Sequence, residues 1–206
     1  KDAFIHYLDL GANYRSLDKL VRSHLPGKRS LRVEAMKLEQ PLEKEGRIGD
    51  HLKVGDLVMV QIAKEAISTK GPRLTADISL AGRNVVLVPF TSKVFVSTKI
   101  RSNAAKKRLR KVAQEVLPPN FGVIIRTAAA DAEDIDIMQD ILSLVERWNK
   151  TLSAMRKSEA PARIMSEMSR VNTIIRDSLN DTFSQITVDD ENLYCEIKSY
   201  VHAIKR

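Results

Sequence analysis

Arg126 and Thr127 are the side chains in this sequence best suited to holding a charged ligand. They end the stretch Phe121-Gly-Val-Ile-Ile-Arg-Thr-Ala-Ala, in which an apolar run passes into small residues. A guanidinium presents forked N–H donors that match phosphate oxygens two at a time, and the neighbouring hydroxyl adds a third donor. A strand end also leaves backbone amides outside the ladder, and these can join the same anion. Taken alone, the pair is equally the pattern of a solvated arginine beside a turn-stabilising threonine, so its surroundings must decide.

Other clusters carry less. Asp189-Asp190-Glu191 could hold Mg²⁺, but the acids fall between a short β-branched run and a helical pattern, where Asp is a favoured N-cap. Asp131, Glu133, Asp134, Asp136 and Asp140 are dense enough for a metal, yet acids in the first turns of a helix are stabilised by its dipole without any ligand. Lys28 in Pro26-Gly-Lys-Arg-Ser30 fails the spacing of a P-loop. His6, His24, His51 and His202 form no i,i+4 pair, so neither zinc ligation nor a nucleophile–histidine dyad is supported. No catalytic set and no metal site emerge.

Composition narrows the partner. The 206 residues carry a formal net charge of +8, which favours a polyanion through phosphate neutralisation and counterion release. Nucleic acid comes first and an anionic membrane surface second. A single cysteine, Cys195, excludes an internal disulfide and suits a reducing compartment, read as cytoplasm. No apolar run approaches the roughly 18 residues that span a bilayer.

The elements that must position Arg126 and Thr127 follow from periodicity. From residue 1 to about Arg83 the pattern is strand and loop. Its clearest piece is Val54-Gly-Asp-Leu-Val-Met-Val-Gln-Ile62, a polar turn followed by period-two alternation. Arg22 to Gly49 reads as a long mobile loop with one helical piece, Val33 to Leu38. Lys93 to Lys111 holds eight basic residues and no acid. Its second half predicts a helix capped by Asn103, with Ala105, Leu109, Val112 and Val116 as the apolar stripe and Pro118-Pro119 as the stop. Lys106, Lys107, Arg110 and Lys111 then lie largely off that stripe, as a solvated face or as a guide for a polyanion. Ile135, Met138, Leu142, Val145, Trp148 and Leu152 predict a second helix with Trp148 in the core. Two further helices are expected, one on Ile164, Met168, Val171 and Ile175, the other on Leu193, Ile197, Val201 and Ile204, with a strand at Ser184–Val188 between them. The fold class is mixed α+β.

A second string, Ile78-Ser-Leu-Ala-Gly82-Arg-Asn-Val-Val86-Leu-Val-Pro89, lies some forty residues upstream of the Arg-Thr pair. Together the two strings resemble the ribonuclease E/G family, in which an S1-type RNA-binding barrel, an OB-type fold, runs into a 5′-sensor region. Lys53-Val-Gly-Asp-Leu-Val-Met-Val is similar to the S1 signature. The resemblance implies a partial S1 barrel over 1–82, a 5′-sensor region over 83–171 and part of an RNase H-like subdomain over 172–206. It implies that the chain is a fragment whose nuclease domain lies elsewhere. Arg126, Thr127, Gly82 and Val86 would form the phosphate site, joined by Lys99, which stands one position beyond the family's usual basic residue, a place taken here by Thr98. Phe4 would stack on RNA bases, and Lys70 would face the RNA backbone. The partner implied is single-stranded RNA bearing a 5′-monophosphate, and the parent is an oligomeric endoribonuclease using Mg²⁺, with no cofactor in this segment. The alternative is a non-catalytic S1-type adaptor that binds RNA or ribosomes.

Overall fold

The computed structural model describes residues 2–25, 27–166, 170–179 and 182–204, and it divides into two compact units, Lys1–Ile164 and Met165–Arg206. The first unit holds α1 (Tyr14–Ser23), β1 (Gln61–Lys64), β2 (Arg73–Thr75), β3 (Leu80–Ala81), β4 (Val85–Pro89), β5 (Val94–Val96), α2 (Asn103–Val116), β6 (Phe121–Ile125) and α3 (Asp134–Lys157). The second holds α4 (Arg170–Ser178) and α5 (Glu191–Ile204). The class is mixed α+β, as the periodicities predict.

The larger sheet runs β3-β4-β6-β5. β4 pairs antiparallel with β6, from Val85↔Ile125 to Pro89↔Phe121, and β5 runs parallel to β6, with Phe95 opposite Ile124. The parallel pair requires a crossover, which α2 supplies. Alternation divides the sheet into two faces. Val85, Leu87, Phe121, Val123 and Ile125 are buried. Leu109, Val112 and Ala113 of α2, with Ile137, Ile141, Leu144 and Trp148 of α3, are buried with them. Each such large apolar side chain stabilises the fold by about 1.5–3 kcal/mol. Trp148 is in the core, edge-on to Phe90 at 6.0 Å between centroids. The α3 stripe follows the expected one over its second half, where Val145, Trp148 and Leu152 are buried, and is rotated over its first, where Ile135 and Leu142 are exposed while Ile137 and Ile141 are buried. Both sets are spaced for a helix, and packing against α2 and the sheet selects one. α2 is capped by Ser102, whose hydroxyl accepts the Ala105 amide at 3.2 Å, and not by Asn103, which is its first residue.

The first 82 residues depart most from expectation. Among the described residues they form no closed barrel. The smaller sheet is β1 with β2, and Phe4 adds a parallel bridge to Arg73. The Lys53–Asp56 turn forms as predicted, with the Lys53 amide on Asp56 Oδ2 at 2.8 Å, but the strand starts only at Gln61. Three-residue β2 offers Leu57 to Val60 nothing to pair with, and of these only Met59 is buried. α1 was not expected at all. Its Tyr14, Leu17, Leu20 and Val21 are buried, and buried Ser16 and Ser23 interrupt the apolar stripe. Those serines anchor the following loop, Ser16 accepting the Glu39 amide at 2.9 Å and Ser23 that of Leu31 at 3.1 Å. The predicted helical piece appears as a 3₁₀ turn, Val33–Ala35. Asn120 Nδ2 donates to the carbonyls of Val33 and Met36 at 2.7 and 2.8 Å. The loop is therefore tied down at both ends of its central turn.

In the second unit α4 carries Val171 and Ile175, and α5 carries Leu193, Ile197 and Val201; Met168 lies outside the described residues. The expected strand at Ser184–Val188 is irregular chain. A β-branched run needs a partner ladder, and none is offered to it among the described residues. Asp190 caps α5 by accepting the Leu193 amide at 2.7 Å, which accounts for the acidic triplet. No helix among the described residues is long and apolar enough to cross a membrane.

Candidate nucleic-acid interface

Three strand ends meet where Arg126 leaves the sheet. β4 starts at Val85, β5 stops at Val96 and β6 stops at Ile125, and the register places these three residues side by side. Arg126 therefore emerges against the β3–β4 turn on one side, and Thr127 against the exit of β5 on the other. The Arg126 amide donates to the Asn84 carbonyl at 2.8 Å, and its Nη1 donates to the Gly82 carbonyl at 2.8 Å. On the other side the Ser97 amide donates to the Ile125 carbonyl at 2.9 Å, and the Ser97 and Thr127 hydroxyls are 3.1 Å apart. Arg126 is half-buried and Thr127 exposed. This end of the sheet thus presents a cation, two hydroxyls and a turn in one place.

The turn is itself braced. The Gly82 amide donates to the Val85 carbonyl at 2.8 Å, and Asp140 of α3 accepts the amides of Asn84 and Val85 through Oδ2 at 2.7 and 3.1 Å. A Cβ at Gly82 would lie within 2.6 Å of that same oxygen, so close approach of the carboxylate requires glycine there. Val86 is half-buried and pairs with Ala81 on one side and Ile124 on the other. Arg126, Thr127, Gly82 and Val86, which the sequence singles out, are brought to one sheet end.

Lys99 is exposed in the turn closed by the Ile100 amide on the Ser97 carbonyl, two residues beyond the hydroxyl that meets Thr127. Ser102 then starts α2, on which Lys107 and Arg110 are exposed and Lys106 half-buried. The neighbouring Arg108 has partners outside its own helix, donating to Asp134 Oδ1 at 2.7 Å and to the carbonyls of Ala130 and Ala132 at 3.3 Å. Phe4 and Lys70 lie beside the smaller sheet instead, Phe4 bridged to Arg73 of β2 and Lys70 bridged to Ile67 in the β1–β2 connection. Phe4 is 58% exposed and Lys70 is exposed. The Phe4 amide donates to the Pro72 carbonyl at 2.9 Å, and a Cβ at Gly71 would collide with the Asp2 carbonyl, so the two segments run in close contact.

Ser97, Asp140 and Asn84 are the residues that sequence reasoning missed. Ser97 stands directly before Thr98 and Lys99 in the sequence. Asp140 sits in the acidic run assigned to the helix start, although only Asp134 and Asp136 occupy the first turn of α3. No group of three or more His, Cys, Asp or Glu side chains converges as a metal site among the described residues.

The model of the ribonuclease E/G family matches residues 79–206, which include both strings except for Ile78 and every residue of this sheet end. The chain belongs to the ribonuclease E/G family. It is 30% identical over 165 residues to a ribonuclease E/G-like protein of Pyropia yezoensis, covering 79% of this chain and 32% of that protein. It is 33% identical over 144 residues to ribonuclease E of a Nostoc species, covering 70% and 21%. It is 32% identical over 162 residues to ribonuclease G of Haemophilus influenzae, covering 79% and 33%. This member of the ribonuclease E/G family thus spans a fifth to a third of the length of these relatives.

Proposed function

We propose that this chain is the RNA-binding, 5′-monophosphate-sensing part of a ribonuclease E/G-like endoribonuclease that acts on single-stranded RNA in cytoplasmic processing and decay. The convergence of Arg126 and Thr127 on the Gly82 turn carries the reading. Arg126, held by the Gly82 carbonyl, takes the terminal phosphate together with the Thr127 hydroxyl. Backbone groups of Gly82 and Val86 receive the terminal nucleotide, and Lys99 approaches from the adjoining turn. Lys106, Lys107 and Arg110 extend a cationic track for the RNA backbone. Phe4 and Lys70 serve an S1-type single-strand surface on the smaller sheet.

The residues described do not fit the magnesium that the family resemblance implies for the longer protein, so no step is derived through that ion. The chain alone binds RNA and does not cut it. Family membership and relatives named as ribonucleases favour this reading over a non-catalytic adaptor.

The test is fluorescence anisotropy with one short single-stranded RNA carrying either a 5′-monophosphate or a 5′-hydroxyl. Wild type should prefer the monophosphate, and Arg126→Ala should remove the preference while keeping residual, salt-sensitive binding. Equal affinity of the wild type for both ends would overturn the sensing role.

A further inference from the structure

The face of the larger sheet opposite α2 and α3 is apolar and open. Phe95 is 55% exposed and Ile124 42% exposed, and the strand register sets Phe95 beside Ile124 and Ile124 beside Val86. A row of three apolar side chains therefore crosses β5, β6 and β4. Alternation along β6 puts Arg126 on the same face as Ile124, two residues on. Next to the row is a recess of about 190 Å³, lined by the apolar Val88, Phe95 and Ile124 and by Asp77, Ser79, Thr91 and Lys93.

We propose that this recess is a nucleobase subsite, in which Phe95 stacks a base of the single-stranded RNA whose 5′ end lies at Arg126. The inference rests on the proposed function and extends it to a residue outside the phosphate site. Three features select a base over other apolar occupants. The row is continuous with the Arg126 sheet end. Lys93 opens the stretch of eight basic residues without an acid, which supplies charge for the phosphates on either side of a stacked base. Asp77 in the lining can accept hydrogen bonds, and so suits the amine or ring N–H edge of a base while disfavouring a phosphate. An aromatic ring stacks any base, so the subsite adds affinity with little sequence preference.

The test uses the 206-residue chain and a 5′-monophosphorylated RNA, intact or with an abasic residue at one of its first four positions in turn. Phe95→Ala should weaken binding of the intact RNA about tenfold. It should have no effect on the one RNA whose base is missing at the stacked position, and Phe95→Trp should bind like wild type. Phe95 is exposed, and a thermal melt confirms that each variant is folded. Wild-type affinity in Phe95→Ala, or an equal loss for every RNA, overturns the subsite, and a retained monophosphate preference would then leave the proposed function standing. A Phe95 effect without any monophosphate preference overturns the sensing role and keeps the stacking surface. Failure of the wild-type chain to bind any of these RNAs overturns both.

Discussion

Asp140 Oδ2 accepts the backbone amide of Asn84 at 2.7 Å, joining α3 to the turn whose Gly82 carbonyl holds Arg126. Asn84 is buried, so its amide has no easy recourse to water. Asp140→Ala leaves two amides without their acceptor, and should lower stability by about 1.5–3 kcal/mol. Asp140→Asn, which keeps an acceptor oxygen, should lose less. Urea unfolding of both variants gives the ranking. On the proposed function, Asp140→Ala should also reduce the preference for monophosphorylated RNA more than it reduces binding of hydroxyl-ended RNA.

Gly82→Ala should injure the same contact from the other side. The added Cβ displaces the Asp140 carboxylate, so its hydrogen bonds to Asn84 and Val85 are lost in either variant. The two substitutions should therefore be strongly non-additive. A double-mutant cycle in urea should give a coupling on the order of 1 kcal/mol, and simple additivity would mean that the glycine is required for another reason.

Legibility in the sequence followed the range of the interactions. The β6 run, the α2 and α3 periodicities and the Arg126-Thr127 pair depend on neighbours within a few residues, and the fold contains all of them. The first half of the α3 face differs from the expected one because Ile135 and Ile137 are both apolar and only tertiary packing, against α2 and the sheet, distinguishes them. α1 was missed because Ser16 and Ser23 interrupt its stripe, and their partners, the Glu39 and Leu31 amides, lie 23 and 8 residues away. Asp140 could not be separated from its acidic neighbours, since its partners are 56 and 55 residues distant. At Leu57–Val60 the alternation predicts a strand, but the strand starts only at Gln61, because the three-residue partner β2 does not reach further.

Stability should fall at alkaline pH through Tyr14. Burial at α1 pushes its hydroxyl up to about 12 from the ordinary 10.0, with Asp18 and Asp56 adding to the shift. The folded-state value is raised, so the contribution is complete below pH 10 and is lost as pH climbs from 10 towards 12, where the unfolded chain ionises first. Lysines titrate in the same range, so the informative quantity is the difference from Tyr14→Phe. That difference should change by on the order of 1 kcal/mol across the window, allowing for solvent screening. Urea melts at pH 9 and pH 11.5 measure it, and parallel curves for the two proteins would contradict the assignment.

Charge should separate positioning from affinity along α2. Lys106, Lys107 and Arg110 lie on the accessible side of a helix that follows directly from the Lys99 turn. Each phosphate contact on a single strand contributes about 0.7 to the slope of log affinity against log salt. Replacing all three by alanine should flatten that slope by about 2 if each meets a phosphate. The monophosphate preference should survive, because Arg126, Thr127 and Gly82 are untouched. Arg108 serves as the internal control. Its bonds to Asp134 and to the Ala130 and Ala132 carbonyls commit it to the fold, so Arg108→Ala should lower stability while changing the salt slope little. A slope unchanged in the triple variant would remove α2 from the RNA track.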